Sequence, residues 1–515
     1  MGAQKSSSRV FEAIALVALA LGIAARLFAR PHAPLWIDEA TSASYAAAPH
    51  FRDFLTLISW DVNAPLYYVL LRGWAGLFGL SDPALRSMSF LFSAAAPLAI
   101  AFAPVRGLTR GERLTWAALV ALWIPGIGYA QSAKALALVF FLATAQTLAF
   151  AALLGRERPR LRDAALWVGL SCLAIEAHYH DVWLAVSQGL IWLTVRRGVA
   201  VRCWPAALLI LPVFAEIGAK LPNIAKFTSP GVTWYALVGP RDALPTVAHL
   251  LGGPLWLVAL PAVLAAFWIL GRRSEPAAWE APQRVLALTA AASGLGVVAF
   301  AAAGAFHPLF NTRYLAPFAP GVALGVVLAL RWVARGEGQV AQAALALVAG
   351  AICGLWLAAG AYHLDSNFDD LEFEHASQSL MQAGVSRVVF VWDNPMIHGT
   401  HMWPLQADAL AGFFYHRAER PVQVILADVG ARDDPNTTLL ATARAQHAGI
   451  IWLFDAGVPG TAAIAHPPHI AALDPSWICQ NFTRHRVGAV ACWEAAGKPN
   501  STGTGDPGVL ALDRR

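Results

Sequence analysis

The sequence predicts a polytopic α-helical membrane protein that ends in a C-terminal α/β domain. Hydrophobic residues make up 57% of the 515-residue chain and charged residues only 13%, whereas soluble domains carry about 25% charged residues. The mean hydropathy is +0.52. Apolar blocks recur from Val10 to Tyr362, each close to the roughly 20 residues that a membrane-spanning helix needs. A soluble protein is excluded.

The apolar blocks predict about 11 spans within residues 1–361. The first, residues 10–29, is longer than the apolar core of a signal peptide, which predicts an uncleaved helix. Residues 65–80 are short, interrupted by two glycines and rich in Tyr and Trp, which predicts an interfacial or re-entrant helix instead of a span. The other predicted spans are residues 85–105, 113–129, 133–154, 163–179, 181–195, 204–218, 245–270, 284–305, 313–333 and 341–361.

Arginine-rich loops set the predicted orientation. By the positive-inside rule these loops are cytoplasmic, which places the N-terminus inside and both the first outer loop, residues 30–84, and the C-terminal domain outside. The same rule explains the net charge of +5 without a nucleic-acid partner. The predicted location is the cytoplasmic (inner) membrane. The cytoplasmic loops are residues 105–113, 155–163, 196–202, 271–273 and 331–338.

Residues 362–496 predict an extracytoplasmic α/β domain. Three short β-branched runs, residues 387–393, 422–428 and 449–455, alternate with helix-like stretches. A hairpin over residues 476–495 sets Cys479 opposite Cys492, which favours a disulfide in an oxidising compartment, with two free thiols as the alternative. Residues 497–515 predict a disordered tail.

Two acidic stretches follow the first span. Asp38 and Glu39 are adjacent in "WIDEA", and Asp61 lies in "WDVNAPLYYVLL". Carboxylates at a bilayer edge are costly to desolvate and are functional by default. The alternatives are structural: Asp38 caps the following helix, and Asp61 forms an Asp-x-Asn turn or a salt bridge to an arginine.

These residues resemble the GT-C membrane glycosyltransferases, most closely the bacterial aminoarabinose transferase and protein O-mannosyltransferase branch. The resemblance rests on Asp38-Glu39, on Asp61 and Asn63 followed by Pro65-Leu66-Tyr67-Tyr68, and on Arg86. It continues in "YAQSAKALAL" (129–138), "AHYHDVWL" (177–184) and "NTRYLAPFAP" (311–320). The chain departs from the family pattern at Ser132 and Lys134, where Glu and Arg are usual, and at Ala64, where the family has a doubled proline.

The resemblance implies a GT-C fold and a reaction. A sugar would pass, with inversion, from a polyprenyl-phosphate donor to a hydroxyl acceptor on a glycan, lipid or protein at the outer face of the membrane. Asp38 would be the general base. Glu39 would tune Asp38 or hold an acceptor hydroxyl, and Asp61 could do the same.

A phosphate leaving group needs cations. Lys134 and Arg313, with Tyr314, are the predicted donor-phosphate residues, although Arg313 could also be an interfacial anchor and Lys134 lacks the bidentate fork of arginine. The predicted substrate-binding residues are Asn63, Tyr67, Gln131, His178 and His180, with a structural role at a helix end as the alternative for both histidines. No metal is predicted to be essential, because no fixed ligand spacing is present; a divalent cation stays possible.

Three other classes compete with a glycosyltransferase. A proton-coupled transporter would carry acids in mid-span and repeated halves, neither of which the sequence shows. A surface-polysaccharide polymerase or ligase would use similar donors but place its signature in a large later loop. A non-catalytic scaffold would tolerate loss of Asp38.

Overall fold

The computed structural model describes most of the chain. Several predicted segments lie partly or wholly outside the described residues. They are the start of the first outer loop, parts of the predicted cytoplasmic loops 271–273 and 331–338, both ends of the span predicted over 341–361, parts of the domain predicted over 362–496, and the whole predicted tail. The described residues are 2–28, 34–228, 237–271, 279–334, 342–352, 354, 373–393, 404–427, 434–455, 468–482 and 487–495.

The N-terminal part of the described chain is helical. Short 3-10 helices at Tyr179–Asp181, Trp204–Ile210, Pro240–Asp242 and Thr312–Phe318 join some of its α-helices. The α-helices are α1 (Gly2–Phe28), α2 (Ile37–Ala46), α3 (Phe51–Trp60), α4 (Leu66–Phe78), α5 (Asp82–Phe102), α6 (Arg110–Ala121), α7 (Ile124–Ala130), α8 (Leu136–Leu154), α9 (Leu161–Ala177), α10 (Val182–Val195), α11 (Arg197–Arg202), α12 (Leu211–Phe227), α13 (Ala243–Leu251), α14 (Trp256–Gly271), α15 (Ala281–Phe306), α16 (Ala319–Val333) and α17 (Gln342–Ile352).

Several of these helices can cross a membrane. Among the described residues, five helical segments are long and apolar enough, and six if the bent pair α13 and α14 forms one span. The five segments are α5, α8, Trp204–Phe227, α15 and Thr312–Val333. This confirms a multi-pass helical protein. The total of about 11 spans and the side on which each loop lies remain predictions.

The span predicted over residues 113–129 is broken between α6 and α7. Pro125 lies in the first turn of α7, where its missing N–H costs nothing. Arg26 of α1 donates to the carbonyl oxygens of Val120, at 3.3 Å, and Ala121 at the end of α6. A cation bound to the last carbonyls stabilises a helix end, so the chain turns there.

The pair α13 and α14 is bent by 70°. Gly252 and Gly253 occupy the bend with φ angles of +97° and +146°, which side chains rarely tolerate. The span predicted over residues 245–270 is therefore two helices.

Helix α4 forms the segment that was predicted to be an interfacial or re-entrant helix. It has 13 residues, too few to span the hydrocarbon core. One side is buried at Tyr67, Tyr68 and Leu71, and the other exposes Val69 and Leu77. Such a helix suits an interfacial position.

The C-terminal part is the predicted α/β domain. Its five-stranded sheet has the order β2-β1-β3-β5-β4, in which β1 pairs in parallel with β2 and β3 while β5 pairs in antiparallel with β3 and β4. The strands are β1 (Arg387–Asp393), β2 (Gln423–Leu426), β3 (Gly449–Asp455), β4 (Trp477–Asn481) and β5 (Val487–Glu494), and the helices are α18 (Phe373–Gln382), α19 (Pro404–Arg417), α20 (Pro435–Gln446) and α21 (Ile470–Leu473).

Helix α19 packs this domain against the segment predicted to be the first outer loop. Arg417 pairs with both Asp82 at the start of α5 and Glu374 of α18. The Gln406 side-chain amide donates to the Tyr45 hydroxyl of α2 at 3.4 Å. The domain therefore rests on α2, the helix that begins with the acid pair.

Cys479 and Cys492 lie opposite each other in β4 and β5 and form a disulfide. The cross-link closes a loop with a sequence separation of 13 residues, for which the loss of unfolded-chain entropy is worth about 3 kcal/mol.

We expect the double variant Cys479→Ser, Cys492→Ser to lower the unfolding temperature of the C-terminal domain. Thermal unfolding under non-reducing conditions measures this, with Cys203→Ser, a buried free thiol, as the control. An equal shift in the control would contradict it.

Candidate active site

Asp38 lies between two cations. Its carboxylate is 4.0 Å from Nζ of Lys134 and 3.9 Å from Nη1 of Arg313. The Asp38 side chain is 33% exposed, so it is open to a ligand. The structure thus brings together the predicted base and both predicted phosphate-binding cations, from three segments far apart in the sequence.

Glu39 faces the opposite way and is 1% exposed. Its carboxylate binds Arg86 of α5 through Nε at 3.0 Å and Nη2 at 2.6 Å. It also accepts hydrogen bonds from the backbone N–H of Ala133 at 2.6 Å and of Trp36 at 3.2 Å. Glu39, not Asp38, therefore caps helix α2, and its oxygens are occupied inside the protein.

These contacts fix the geometry around Asp38. Glu39 is the residue after Asp38, and Ala133 is the residue before Lys134. The Glu39 carboxylate thus ties the two backbone segments that present the acid and the cation. Arg86 neutralises that carboxylate, and a buried ion pair of good geometry leaves no uncompensated charge.

A polar face of α5 supports the Lys134 turn. Arg86, Ser89 and Ser93 are spaced i, i+3 and i+7 and lie on one side of the helix. Ser89 donates to the carbonyl oxygen of Lys134 at 3.4 Å, and Ser93 donates to that of Gly126 in α7 at 2.8 Å. Hydrogen bonds from α5 therefore hold the segment from Gly126 to Lys134 at both of its ends.

Arg313 is positioned by its backbone and by Tyr314. The Tyr129 hydroxyl donates to the Arg313 carbonyl oxygen at 2.9 Å, and the Asn311 side chain accepts from the Arg313 N–H at 3.0 Å. The guanidinium donates to the Tyr314 hydroxyl at 2.9 Å and lies 5.0 Å from the centre of that ring. Its Nη1 is the atom nearest Asp38.

His178 and His180 form an aromatic wall with Tyr314. Each imidazole centroid lies 4.6 Å from the Tyr314 ring centroid. Burial lowers the pKa of His180 to about 3, with nearby Arg313 acting in the same direction. The His180 ring is therefore neutral at physiological pH and adds no positive charge for a phosphate.

Asp61 forms the Asp-x-Asn turn that was the structural alternative. Its Oδ1 accepts from the backbone N–H and the side-chain amide of Asn63, both at 2.7 Å. Tyr68 donates to Oδ2 at 3.3 Å. Burial, and then the charge of Asp61, raise the pKa of Tyr68 and of Tyr45 well above the usual value. Asp61 thus anchors two tyrosines, and Tyr68 lies near both Asp61 and Asp38.

Two predicted substrate-binding residues, Tyr67 and Asn63, make side-chain hydrogen bonds within the protein. Tyr67 is 2% exposed and its hydroxyl pairs with Ser89 at 3.3 Å, so it lies inside the protein. Asn63 is exposed, but its side chain is bound to Asp61. Gln131 is half-buried at the end of α7, two residues before Ala133.

A second polar cluster was missed from the sequence. On α12, Lys220 pairs with Glu216 at 3.1 Å and donates to the carbonyl oxygen of Asn63 at 2.7 Å. The Tyr179 hydroxyl donates to the Glu216 carboxylate at 2.8 Å. An acid inside an apolar block, Glu216, was the available signal. The cluster braces the Asp61 turn from the side of α12.

The positions of the acidic residues bear on the transporter alternative and on a possible metal site. The acid pair lies in the first turn of α2 and not within a spanning helix, but Glu216 lies inside the span-capable segment Trp204–Phe227. A proton-coupled transporter predicts acids in mid-span, so that alternative stays open. Within the described part of the chain, no group of three or more His, Cys, Asp or Glu residues is arranged to hold a metal ion.

Comparison with solved structures identifies the fold of the chain. The chain is similar to ArnT from Cupriavidus metallidurans bound to undecaprenyl phosphate, with a TM-score of 0.52 and 14% identity over 95% of this chain and 98% of that one. The chain has the GT-C fold. Apo ArnT matches with a TM-score of 0.53 and 13% identity over the same shares. The GT-C fold predicted from the sequence is thus confirmed.

Other comparisons add little to the GT-C assignment. The archaeal oligosaccharyltransferase AglB from Archaeoglobus fulgidus, in complex with an inhibitory peptide and a dolichol-phosphate, has a TM-score of 0.47 and 12% identity over 86% of this chain and 69% of that one. No family model matches the sequence, and no curated protein matches it.

Proposed function

We propose that the protein is a membrane glycosyltransferase that moves a sugar from a polyprenyl-phosphate donor to a hydroxyl acceptor on a glycan, lipid or protein. The observation that carries the proposal is the placement of Asp38 between Lys134 and Arg313. A base and two cations within about 4 Å are what this transfer needs: one to take the acceptor proton and two to stabilise the leaving phosphate. The GT-C fold, shared with ArnT bound to undecaprenyl phosphate, agrees.

The donor phosphate would ligate Lys134 and Arg313. Their distances to Asp38 are those of ion pairs and not of close hydrogen bonds. The N–H groups of both cations can therefore turn to phosphate oxygens. A phosphate that shares these cations weakens their hold on Asp38, which makes the carboxylate a better proton acceptor once the donor is in place.

An apolar pocket is linked to the Arg313 backbone through two aromatic residues and could take the lipid of a lipid-linked donor. The ring of Trp123, which borders the pocket, lies 5.6 Å from that of Tyr129, whose hydroxyl binds the Arg313 backbone. We propose that the first isoprene units lie here. The pocket is lined by Leu119, Val120, Leu122, Trp123, Phe140, Leu250, Leu251, Trp256, Leu260, Ala319, Val322, Ala323, Val326 and Ala351.

The transfer step balances with the residues named. The acceptor oxygen attacks the anomeric carbon from the face opposite the phosphate, and its proton passes to Asp38. The bond between the anomeric carbon and the phosphate oxygen breaks, and polyprenyl phosphate leaves with its charge held by Lys134 and Arg313. Glu39 is a positioning residue in this proposal, and the reaction takes place at the outer face of the cytoplasmic membrane.

Binding of undecaprenyl phosphate to the purified protein tests the role of the cations. We expect Lys134→Met and Arg313→Met each to weaken binding by about 10- to 100-fold, because a charge-assisted hydrogen bond contributes about 1.5 to 3 kcal/mol. Lys134→Arg keeps the charge and should retain most of the affinity. Lys226→Met, which removes an exposed lysine of α12, is the control. Unchanged affinity in both site variants would overturn the phosphate assignment.

A further inference from the structure

Helix α19 of the C-terminal domain contacts both of the helices that hold the acid pair in place. Near its start, the Gln406 side-chain amide donates to the Tyr45 hydroxyl of α2 at 3.4 Å. At its end, Arg417 binds Asp82 through Nη1 and Glu374 through Nη2. Asp82 lies in the first turn of α5, and Glu374 lies in α18. One helix of the domain is therefore joined to α2, to α5 and to a second helix of its own domain.

These contacts close a ring of three helices, α2, α5 and α19. Asp82, which binds α19, lies about one turn before Arg86 on α5. Arg86 binds the carboxylate of Glu39 in the first turn of α2. Tyr45, near the other end of α2, completes the ring through its hydrogen bond to α19. Asp38, the neighbour of Glu39, thus lies on a helix that is held from both sides of the ring.

Apolar packing joins the same three helices. Leu85 of α5, Ala43 and Tyr45 of α2, and Ala407 and Leu410 of α19 are buried in one hydrophobic cluster. Domains within a chain move relative to one another by default unless their interface is well packed and hydrophobic. The C-terminal domain is therefore packed onto α2 through a shared core, and its position and that of α2 depend on each other.

Arg417 is the charged residue that closes this interface. Its side chain is 23% exposed, and its partners Asp82 and Glu374 are 19% and 14% exposed. The guanidinium lies 5.7 Å and 5.1 Å from the ring centres of Phe413 and Phe414. The fork of arginine reaches two carboxylates at once, which the single ammonium of lysine does poorly. Without Arg417, two partly buried carboxylates would face each other across the domain boundary and repel.

We propose that Arg417 is a positioning residue for Asp38, and that the C-terminal domain helps to build the site through α19. Loss of the Arg417 pairs would loosen α19 from α5 and from α2, so that α2 would no longer keep Asp38 between Lys134 and Arg313. The role of Asp38 as the base rests on the proposed function, whereas the coupling of the domain to α2 does not.

Hydrogen exchange in the purified full-length chain tests this coupling without a substrate. We expect Arg417→Met to speed the exchange of the α2 backbone amides by about 10-fold, because amides exchange when the tertiary contacts of their helix open. Arg417→Lys keeps the charge but serves one acid well, so its exchange should lie between the two. Arg420→Met, which removes an exposed arginine three residues further on, is the matched control and should exchange like the wild type.

The kinetics of sugar transfer test the positioning role. Arg417→Met should lower the turnover number by about 10- to 100-fold, because a displacement of about 1 Å at a reacting group can cost about 10²-fold. Its affinity for undecaprenyl phosphate should stay within about threefold of the wild type, since the Arg313 backbone is held by Tyr129 and Asn311. Asp82→Asn combined with Arg417→Met should be no slower than Arg417→Met alone, because both changes break the same pair.

Two results would overturn the proposal. One is wild-type exchange of the α2 amides in Arg417→Met, which would mean that α19 does not hold α2. The other is a lower unfolding temperature of the C-terminal domain with an unchanged turnover number, which would make Arg417 structural only. If Arg417→Met does not fold, Asp82→Asn takes its place in both measurements. If the wild type transfers no sugar, the proposed function fails, and hydrogen exchange alone decides whether the domain is coupled to α2.

Discussion

Asp38→Asn is expected to lower the turnover number for sugar transfer by about 10²- to 10⁴-fold, the range that a general base contributes. The amide keeps the shape of the side chain but cannot take up the acceptor proton. Because Asp38 is partly exposed and contributes only two long ion pairs, the unfolding temperature should stay close to that of the wild type. Steady-state kinetics with a polyprenyl-phosphate sugar, beside thermal unfolding, measure both.

Asp53→Asn is the matched control for this variant. Asp53 lies on α3 in the same outer loop and is half-buried, but it has no place in the proposed transfer. Its turnover should equal that of the wild type. If Asp38→Asn retains full activity while folding normally, Asp38 is not the base and the scaffold alternative gains support.

Glu39→Gln is expected to act mainly through stability. The change leaves the buried Arg86 guanidinium without its carboxylate, and breaking a buried pair in this way costs about 3 to 5 kcal/mol. The backbone segments of Asp38 and Lys134 then lose their common tie, so the turnover number should fall and the donor KM should rise together. Thermal unfolding and steady-state kinetics on one preparation separate the two effects.

Glu12→Gln provides the comparison for this second change. Glu12 pairs with Arg110 at 3.5 Å, and the Arg110 side chain is 67% exposed, so its loss should cost less than about 1 kcal/mol. If Glu39→Gln abolishes activity at an unchanged unfolding temperature, Glu39 contacts substrate and is not a positioning residue.

The sequence singled out three residues that meet in the fold, because their types are chemically distinctive in an apolar chain. An acid after the first predicted span, a lysine and an arginine at the predicted membrane edges are each unusual in apolar surroundings, and the charged groups of Lys134 and Arg313 do lie within about 4 Å of the Asp38 carboxylate. The strands were also predictable, since the β-branched runs at residues 387–393 and 449–455 coincide with β1 and β3.

The direction in which each side chain points could not be predicted from the sequence. Asp38 and Glu39 are neighbours, yet one faces the cations and the other faces Arg86, because the turn of α2 separates adjacent side chains by about 100°. The same applies to Tyr67 and Tyr68, of which only Tyr68 contacts Asp61.

Helix breaks depend on contacts between distant segments. Arg26 binds the end of α6, 94 residues away, and no local pattern shows that contact.

Donor consumption by the purified wild-type protein tests the central claim most directly. The protein is incubated with a panel of pentosyl and hexosyl derivatives of undecaprenyl phosphate, with Asp38→Asn in parallel, and released undecaprenyl phosphate is quantified. We predict that the wild type consumes at least one donor and that the variant consumes it far more slowly. If the wild type consumes none of them, or if the variant is equally active, the proposed glycosyltransferase mechanism is wrong.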